Sequence, residues 1–177
     1  SKSLGNTVDP LECVSRFGAD AVRYYLLRAV SPFEDGDFSL TRLRELYNAD
    51  LANGVGNLVS RLTALCARLG PVSLAGEERP APPAVYPRSL RAYEFGGALR
   101  SLWKLVEGLN RDIERVRPWE DSDRRRESVT APVHRWLAEL HRIAYWLSPF
   151  LPDTSRRIEA TITRKPIVRC EPLFPRR

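Results

Sequence analysis

The 177-residue sequence predicts an all-α helix bundle. Three observations carry that prediction. Leu51, Val55, Leu58, Leu62, Leu65 and Leu69 fall at alternating steps of four and three, the spacing of an apolar seam along one helix face. Leu99, Leu102, Val106, Leu109, Ile113 and Val116 repeat that rhythm in a second segment. No internal repeat and no strand-dominated region interrupts the helical pattern.

The totals bound the class of molecule. Hydrophobic residues make up 43% and charged residues 28%, the balance of an ordinary globular chain able to bury a core. No run of about 18 apolar residues predicts a membrane span, and no basic segment followed by an apolar one opens the chain as a signal peptide would. The expectation is a cytoplasmic protein with no membrane partner. Net charge is +6, which mildly favours a polyanionic partner. Only Lys2, Lys104 and Lys165 among the 28 basic residues are lysine, a bias that base composition of the genome explains as readily as phosphate recognition. Cys13, Cys66 and Cys170 are far apart and odd in number, so buried free thiols are expected rather than disulfides or a cysteine metal site. The sequence contains no methionine, so either an initiator was removed or the chain is a piece of something longer.

The elements follow in order. Residues 1–6, SKSLGN, are small and polar and read as a loop. Asp9 caps a helix with Pro10 in its first position, and Gly18 ends it. A second helix is expected from about Ala19 to Ala29, with Val22, Leu26 and Ala29 or Val30 inward, ending at Ser31-Pro32. Glu34, Asp35, Gly36 and Asp37 form an acidic turn, lacking the ordered ligand set of a calcium loop. Ser39 or Thr41 caps a long helix that runs to about Leu69. Gly54 and Gly56 each cost that helix about 1 kcal/mol against alanine, so another helix or a ligand should approach there. Residues 70–87 hold five of the fourteen prolines and read as a surface connection. A helix resumes near Ser89 and ends before Pro118, and residues 121–127, DSDRRRE, form a charged turn. A third long helix starts near Ser128 with Pro132 in its first turn, and buries Val129, Val133, Trp136 or Leu137, Leu140, Ala144 and Leu147. A short helix spans about Asp153 to Thr161. The proline- and arginine-rich tail packs as an extended strap through Ile167, Leu173 and Phe174.

Few residues could carry chemistry. No nucleophile pairs with a base, and no Walker or Rossmann glycine loop is present. His134 and His141 stand two helical turns apart without a third ligand, so no metal site is expected. Three features remain. The opening loop combines Lys2 with hydroxyls, which suits phosphate binding. Asn57 and Arg61 are four apart and share one helix face. An amide there can offer donor and acceptor to a base edge, and a guanidinium adds a planar fork and a charge. Pro118 and Trp119 stand just past a helix end, where a rigid proline would hold an indole as a stacking platform for an unpaired base. Trp103, Trp136 and Trp146 lie inside helical patterns and suit the core better.

These segments, taken in order, resemble a known family. SKSLGN followed by VDP resembles the signature loop of class I aminoacyl-tRNA synthetases, of which Ser1, Lys2 and Ser3 are the last residues. GADAVRYYLL, PFEDGDFS and YNADLANGVGNLVSR resemble the segment that follows this loop in the methionyl-tRNA synthetases, and the spacing from Asn110 to Pro118 and Trp119 and the closing PLFPR match as well. The resemblance implies an anticodon-binding helix bundle over residues 39–177, preceded over residues 1–38 by the signature-loop remnant and a stem-contact-fold segment. It implies that Asn57, Arg61, Pro118 and Trp119 bind the CAU anticodon of methionine tRNA. Lys2 would correspond to the second lysine of the loop, a catalytic role in adenylate formation, and Ser1, Lys2 and Ser3 would touch ATP, with magnesium, in a full enzyme.

The catalytic nucleotide-binding fold of such enzymes, with its methionine pocket, is absent from this sequence, so the chain alone is expected neither to activate methionine nor to hold a cofactor. No appended dimerisation or general tRNA-binding module follows, which implies a monomer. The implied partners are the anticodon stem-loop of methionine tRNA and the catalytic domain of the same enzyme. Two other readings stand beside this one. The chain could be the anticodon domain of a sister synthetase, or a helical protein-interaction module that no longer binds tRNA.

Overall fold

The computed structural model describes residues 8–33, 36–70, 72–74, 81–119 and 126–177, with the backbone alone for 126–128. The opening loop with Ser1, Lys2 and Ser3, Glu34 and Asp35 of the acidic turn, much of the proline-rich connection and most of the charged turn at 121–127 lie outside the described residues. Among the described residues every regular element is helical: α1 (Pro10–Phe17), α2 (Ala19–Ala29), α3 (Leu40–Leu46), a π-helical segment (Tyr47–Gly56), α4 (Asn57–Leu69), α5 (Val85–Arg91), α6 (Phe95–Val116), α7 (Arg126–Leu147) and α8 (Pro152–Ile162). No helix among them is long and apolar enough to cross a membrane.

The central rod is α3, the π-helical segment and α4, wound end to end. Ser39 starts it, its Oγ accepting from the Arg42 amide at 3.2 Å, and Gly70 at φ 97° stops it. Leu51, Val55, Leu58 and Leu62 have no exposed surface, and Leu65 is buried beside them, so the expected seam is the core of the molecule. The winding differs from the ordinary α-helix expected, because ten residues of the rod are π-helical. Gly56 shows why it is glycine. A Cβ there would stand 2.9 Å from the carbonyl oxygen of Leu51, five residues earlier in the same rod. The close neighbour at Gly56 is therefore the rod's own preceding turn, and not the separate helix or ligand that the sequence suggested. At Gly54 it is the indole nitrogen of Trp103 on α6, at 3.5 Å.

Asp9 caps α1 by accepting from the Leu11 amide at 2.8 Å, and Gly18 at φ 86° turns the chain into α2, both as expected. The inner face of α2 is only partly the one expected: Val22 is buried and Val30 half-buried as the spacing implied, but the face is shifted toward the tyrosines. Ala21, Val22, Tyr24 and Tyr25 are buried, while Leu26 and Ala29 face solvent. The tyrosines win because they bury more area and their hydroxyls find partners. Tyr24 donates to Asp50 at 2.6 Å, and Tyr25 accepts from the Ser39 amide at 3.0 Å. Asp20 caps a different helix, its carboxylate accepting from the Thr154 amide of α8 at 2.7 Å.

The expected single helix from Ser89 to Val116 is two helices. Tyr93, at φ 56°, breaks it between α5 and α6. The two lie so close that a Cβ on Gly97 would stand 2.9 Å from the Ser89 hydroxyl. Helix α7 begins at Arg126, so Pro132 sits in its second turn and not its first. Its apolar face is the expected one, with both Trp136 and Leu137 buried. Trp136 ties α7 to α6 by donating to Asp112 at 2.7 Å. Helix α8 spans one residue more at each end than expected. The tail beyond it is the expected strap, with Ile167 and Leu173 buried. Cys13 and Cys66 are buried free thiols, whereas Cys170, on the strap, is only half-buried because the strap covers the bundle from outside.

Candidate nucleic-acid interface

The α4 backbone sets Asn57 and Arg61 one turn apart on the side of the rod that faces α6. Asn57 is exposed and Arg61 is partly covered. Helix α6 ends at Val116, and Arg117 adopts the left-handed conformation, φ 46° and ψ 57°. That single residue turns the chain back over α4. The Arg68 guanidinium donates to the Pro118 carbonyl and pins the corner. Pro118 is buried, and Trp119 keeps 43% of its surface exposed. The guanidinium of Arg61 then lies over the Trp119 ring, 4.9 Å from its centre, and donates to Glu114 at 2.8 Å. Three of the four residues singled out in the sequence thus meet at one edge of the bundle, with Asn57 a turn away.

Two cavities open there. The larger, about 470 Å³, lies between the rod and α6, and its lining includes Asn53, Asn57, Arg61, Trp103, Asn110 and Glu114. The smaller, about 290 Å³, is walled by Ala64, Leu65 and Ile113, with Pro118 and Trp119 over it. At one end of the larger cavity Asp50 accepts from Tyr24 and stands 3.8 Å from the Arg28 guanidinium. Burial, with the Asp50 carboxylate alongside, pushes the Tyr24 phenol well above its usual range, so it remains a protonated donor. Two buried polar atoms of lining residues make no hydrogen bond among the described residues: Trp103 Nε1, a donor, and Asn110 Oδ1, an acceptor.

The chemistry on offer is recognition. An exposed indole gives a stacking surface, a guanidinium gives charge and a donor fork, and amides give paired donors and acceptors. Among the described residues no nucleophile with a base beside it joins them. Asn53, Trp103, Asn110 and Glu114 were missed in the sequence. Asn53 was within reach, since it stands four before Asn57 on the same stripe. Trp103 read as core and is indeed 7% exposed, and it also forms part of the cavity lining. His134 and His141 do not act together: His134 Nδ1 contacts the Ser73 carbonyl at 2.9 Å, and His141 Nε2 lies 3.5 Å from Glu159 of α8. Lys2, with Ser1 and Ser3, lies outside the described residues.

Comparison with known proteins bears on the same question. A family model described as tRNA synthetases class I (M) matches residues 1–63. The sequence is 34% identical to a methionine–tRNA ligase of Clostridium perfringens over 93% of this chain and 28% of that protein. It is 37% identical to a methionine–tRNA ligase of Synechocystis over 89% of this chain and 32% of the relative. The chain therefore spans about a third of the length of the curated relatives it matches. A crystal structure of Mycobacterium tuberculosis methionyl-tRNA synthetase bound by methionyl-adenylate superposes with a TM-score of 0.83, covering 99% of this chain and 41% of that one. At 23% identity that likeness speaks to the fold.

Proposed function

We infer the function from one premise: the chain belongs to the methionine–tRNA ligase family of class I tRNA synthetases. We propose that it is the part that recognises the CAU anticodon of methionine tRNA, with Asn57, Arg61, Pro118 and Trp119 as the reading site. The observation that carries this reading is the stacking of Arg61 against a half-exposed Trp119, with Arg61 shared between the two cavities and Asn57 lining the larger one. An unpaired base could lie on the indole while its edge meets the amide and guanidinium, the usual way single-stranded loops are read. The net charge of +6 supports attraction to a phosphate backbone. In this reading residues 39–177 are the anticodon-binding bundle, and residues 1–38 join it to the catalytic domain. Ligation of methionine to tRNA is proposed for the longer, cytoplasmic protein. There Ser1, Lys2 and Ser3 would belong to the ATP-binding loop, with Lys2 the catalytic lysine, and ATP would supply the activating phosphates.

The test is a titration of the chain with RNA stem-loops differing only in the three anticodon bases. The expected result is tightest binding to CAU, weakened by any single change and by Asn57→Ala. Equal affinity for all loops would overturn the reading.

A further inference from the structure

The tail strap does more than cover the bundle. Residues 172–177 lie across the π-helical segment beside the interface. Tyr47 donates to the Pro175 carbonyl at 2.8 Å, and the Phe174 ring meets Tyr47 edge-on at 5.8 Å. Asn48 bonds the backbone of Arg177 twice, its Nδ2 donating to the carbonyl at 2.8 Å and its Oδ1 accepting from the amide at 3.1 Å. One residue earlier the Arg176 side chain reaches back and donates to Asn53 Oδ1 at 2.9 Å. Asn53 stands on the ridge between two cavities. One is the 470 Å³ cavity shared with Asn57 and Arg61, and the other is a groove of about 260 Å³ along the strap.

We propose that Arg176 is a positioning residue for the RNA-reading site, acting through Asn53; the proposal rests on the anticodon reading above. The argument is one of donors and acceptors. A carboxamide can face a neighbour with either its oxygen or its nitrogen. A guanidinium has only donors, so the atom of Asn53 that faces Arg176 must be the oxygen. The nitrogen of that amide is then fixed as the group turned to other partners, and it offers hydrogens. Two turns further along the rod, Arg61 lines the same cavity and its guanidinium also offers only donors. The strap thereby sets the Asn53 position of the cavity wall to offer hydrogens, which favours a carbonyl oxygen or an unprotonated ring nitrogen over an amino group at that one point. Asn48 is the useful contrast: both ends of its amide are consumed by the strap, so it is an anchor. Asn53 has its oxygen bound and lines the cavity, so it is a presented group. Arg176 is itself exposed, and the Tyr47 and Asn48 anchors hold the strap without it.

A double-mutant cycle separates this role from direct contact with RNA. Arg176→Ala, Asn53→Ala and the double variant of the chain are titrated with a CAU stem-loop by fluorescence anisotropy. The Asn53 side-chain amide is followed by heteronuclear NMR in the free wild type and in Arg176→Ala. Each single variant should bind about fivefold more weakly, the range of one hydrogen bond. The double variant should be no weaker than Asn53→Ala, because the two residues act as one unit. Arg176→Lys should recover part of the loss, and the Asn53 amide signal should move when Arg176 is removed. An Arg176→Ala effect that persists in the Asn53→Ala background would overturn the proposal by showing that the arginine meets RNA itself. So would an unmoved amide signal or an unchanged affinity. If the wild type fails to bind the CAU loop, the anticodon reading fails, and the amide signal alone decides whether Arg176 orients Asn53.

Discussion

Replacing Trp119 by alanine probes the interface with the least damage to the fold. The ring is 43% exposed and sits outside the seams that build the core, so its removal opens no buried cavity. Two interactions are lost. The Arg61 guanidinium over the ring contributes about 0.5–1 kcal/mol at an exposed site, and that loss falls on the free protein. A base stacked on the indole contributes about 1–3 kcal/mol, and that loss falls on the complex. With the covered part of the ring added, unfolding free energy should drop by about 1–3 kcal/mol, less than the loss of a fully buried tryptophan. Affinity for a CAU stem-loop should fall about 5- to 150-fold, the free-energy range of one stacked base. Trp119→Phe should keep most of the binding, since a phenyl ring still offers a face. Anisotropy titration measures the affinity, and urea unfolding followed by circular dichroism measures the stability. An alanine variant that binds within about twofold of wild type would refute the stacking argument, because even the weakest stack in that range exceeds it. A large loss of stability would refute the claim that Trp119 lies outside the core.

Two further outcomes follow from the scaffold. Gly56→Ala should lower stability by about 1–2 kcal/mol, because the overpacking cost against the Leu51 carbonyl exceeds what alanine gains in helix propensity; a higher urea midpoint than wild type would contradict the account of the π-helical segment. Asp112 has its carboxyl held below the usual range, first by the indole N–H of Trp136 and then, against a smaller opposing effect of burial, by Arg135 and Arg115. A carboxyl depressed in the folded state contributes stability that is fully present above its unfolded value, about 3.9, and is lost as pH falls through the lower folded value. Asp112→Asn should therefore be less stable than wild type near neutral pH, with the gap closing as pH drops below about 3.9; a gap independent of pH in urea unfolding would contradict that sign.

What the sequence made legible divides along physical lines. Seams were legible because leucine spacing reports which side of a helix is buried, and Leu51 to Leu62 are fully covered as the spacing implied. Caps were legible because Asp9, Ser39 and Gly18 act within four residues of themselves. The inner face of α2 was partly misread because Tyr24 and Tyr25 find their hydroxyl partners 26 and 14 residues away, and no local pattern reports such a match. The π-helical winding was hidden for a similar reason. Its glycine marked a close approach, but whether the neighbour was a helix, a ligand or the rod itself depended on coordinates. At the interface, spacing alone placed Asn57 beside Arg61. The arrival of Trp119 depends on one left-handed residue, Arg117, and on the grip of Arg68 on Pro118. Family resemblance reached that pairing where periodicity could not. The same spacing extends to Asn53, but its bond to a tail residue 123 positions later was not legible from either.

The central claim is that RNA lands between α4 and the end of α6. The four tryptophan indole N–H signals of the chain test it in one NMR titration with a CAU stem-loop. In the proposed reading Trp119 is the stacking face and Trp103 lines the cavity, while Trp136 and Trp146 are buried and line neither cavity. The account predicts that the Trp119 and Trp103 signals move as RNA is added and that those of Trp136 and Trp146 stay in place. Movement of the other pair, or no movement at Trp119, would contradict it.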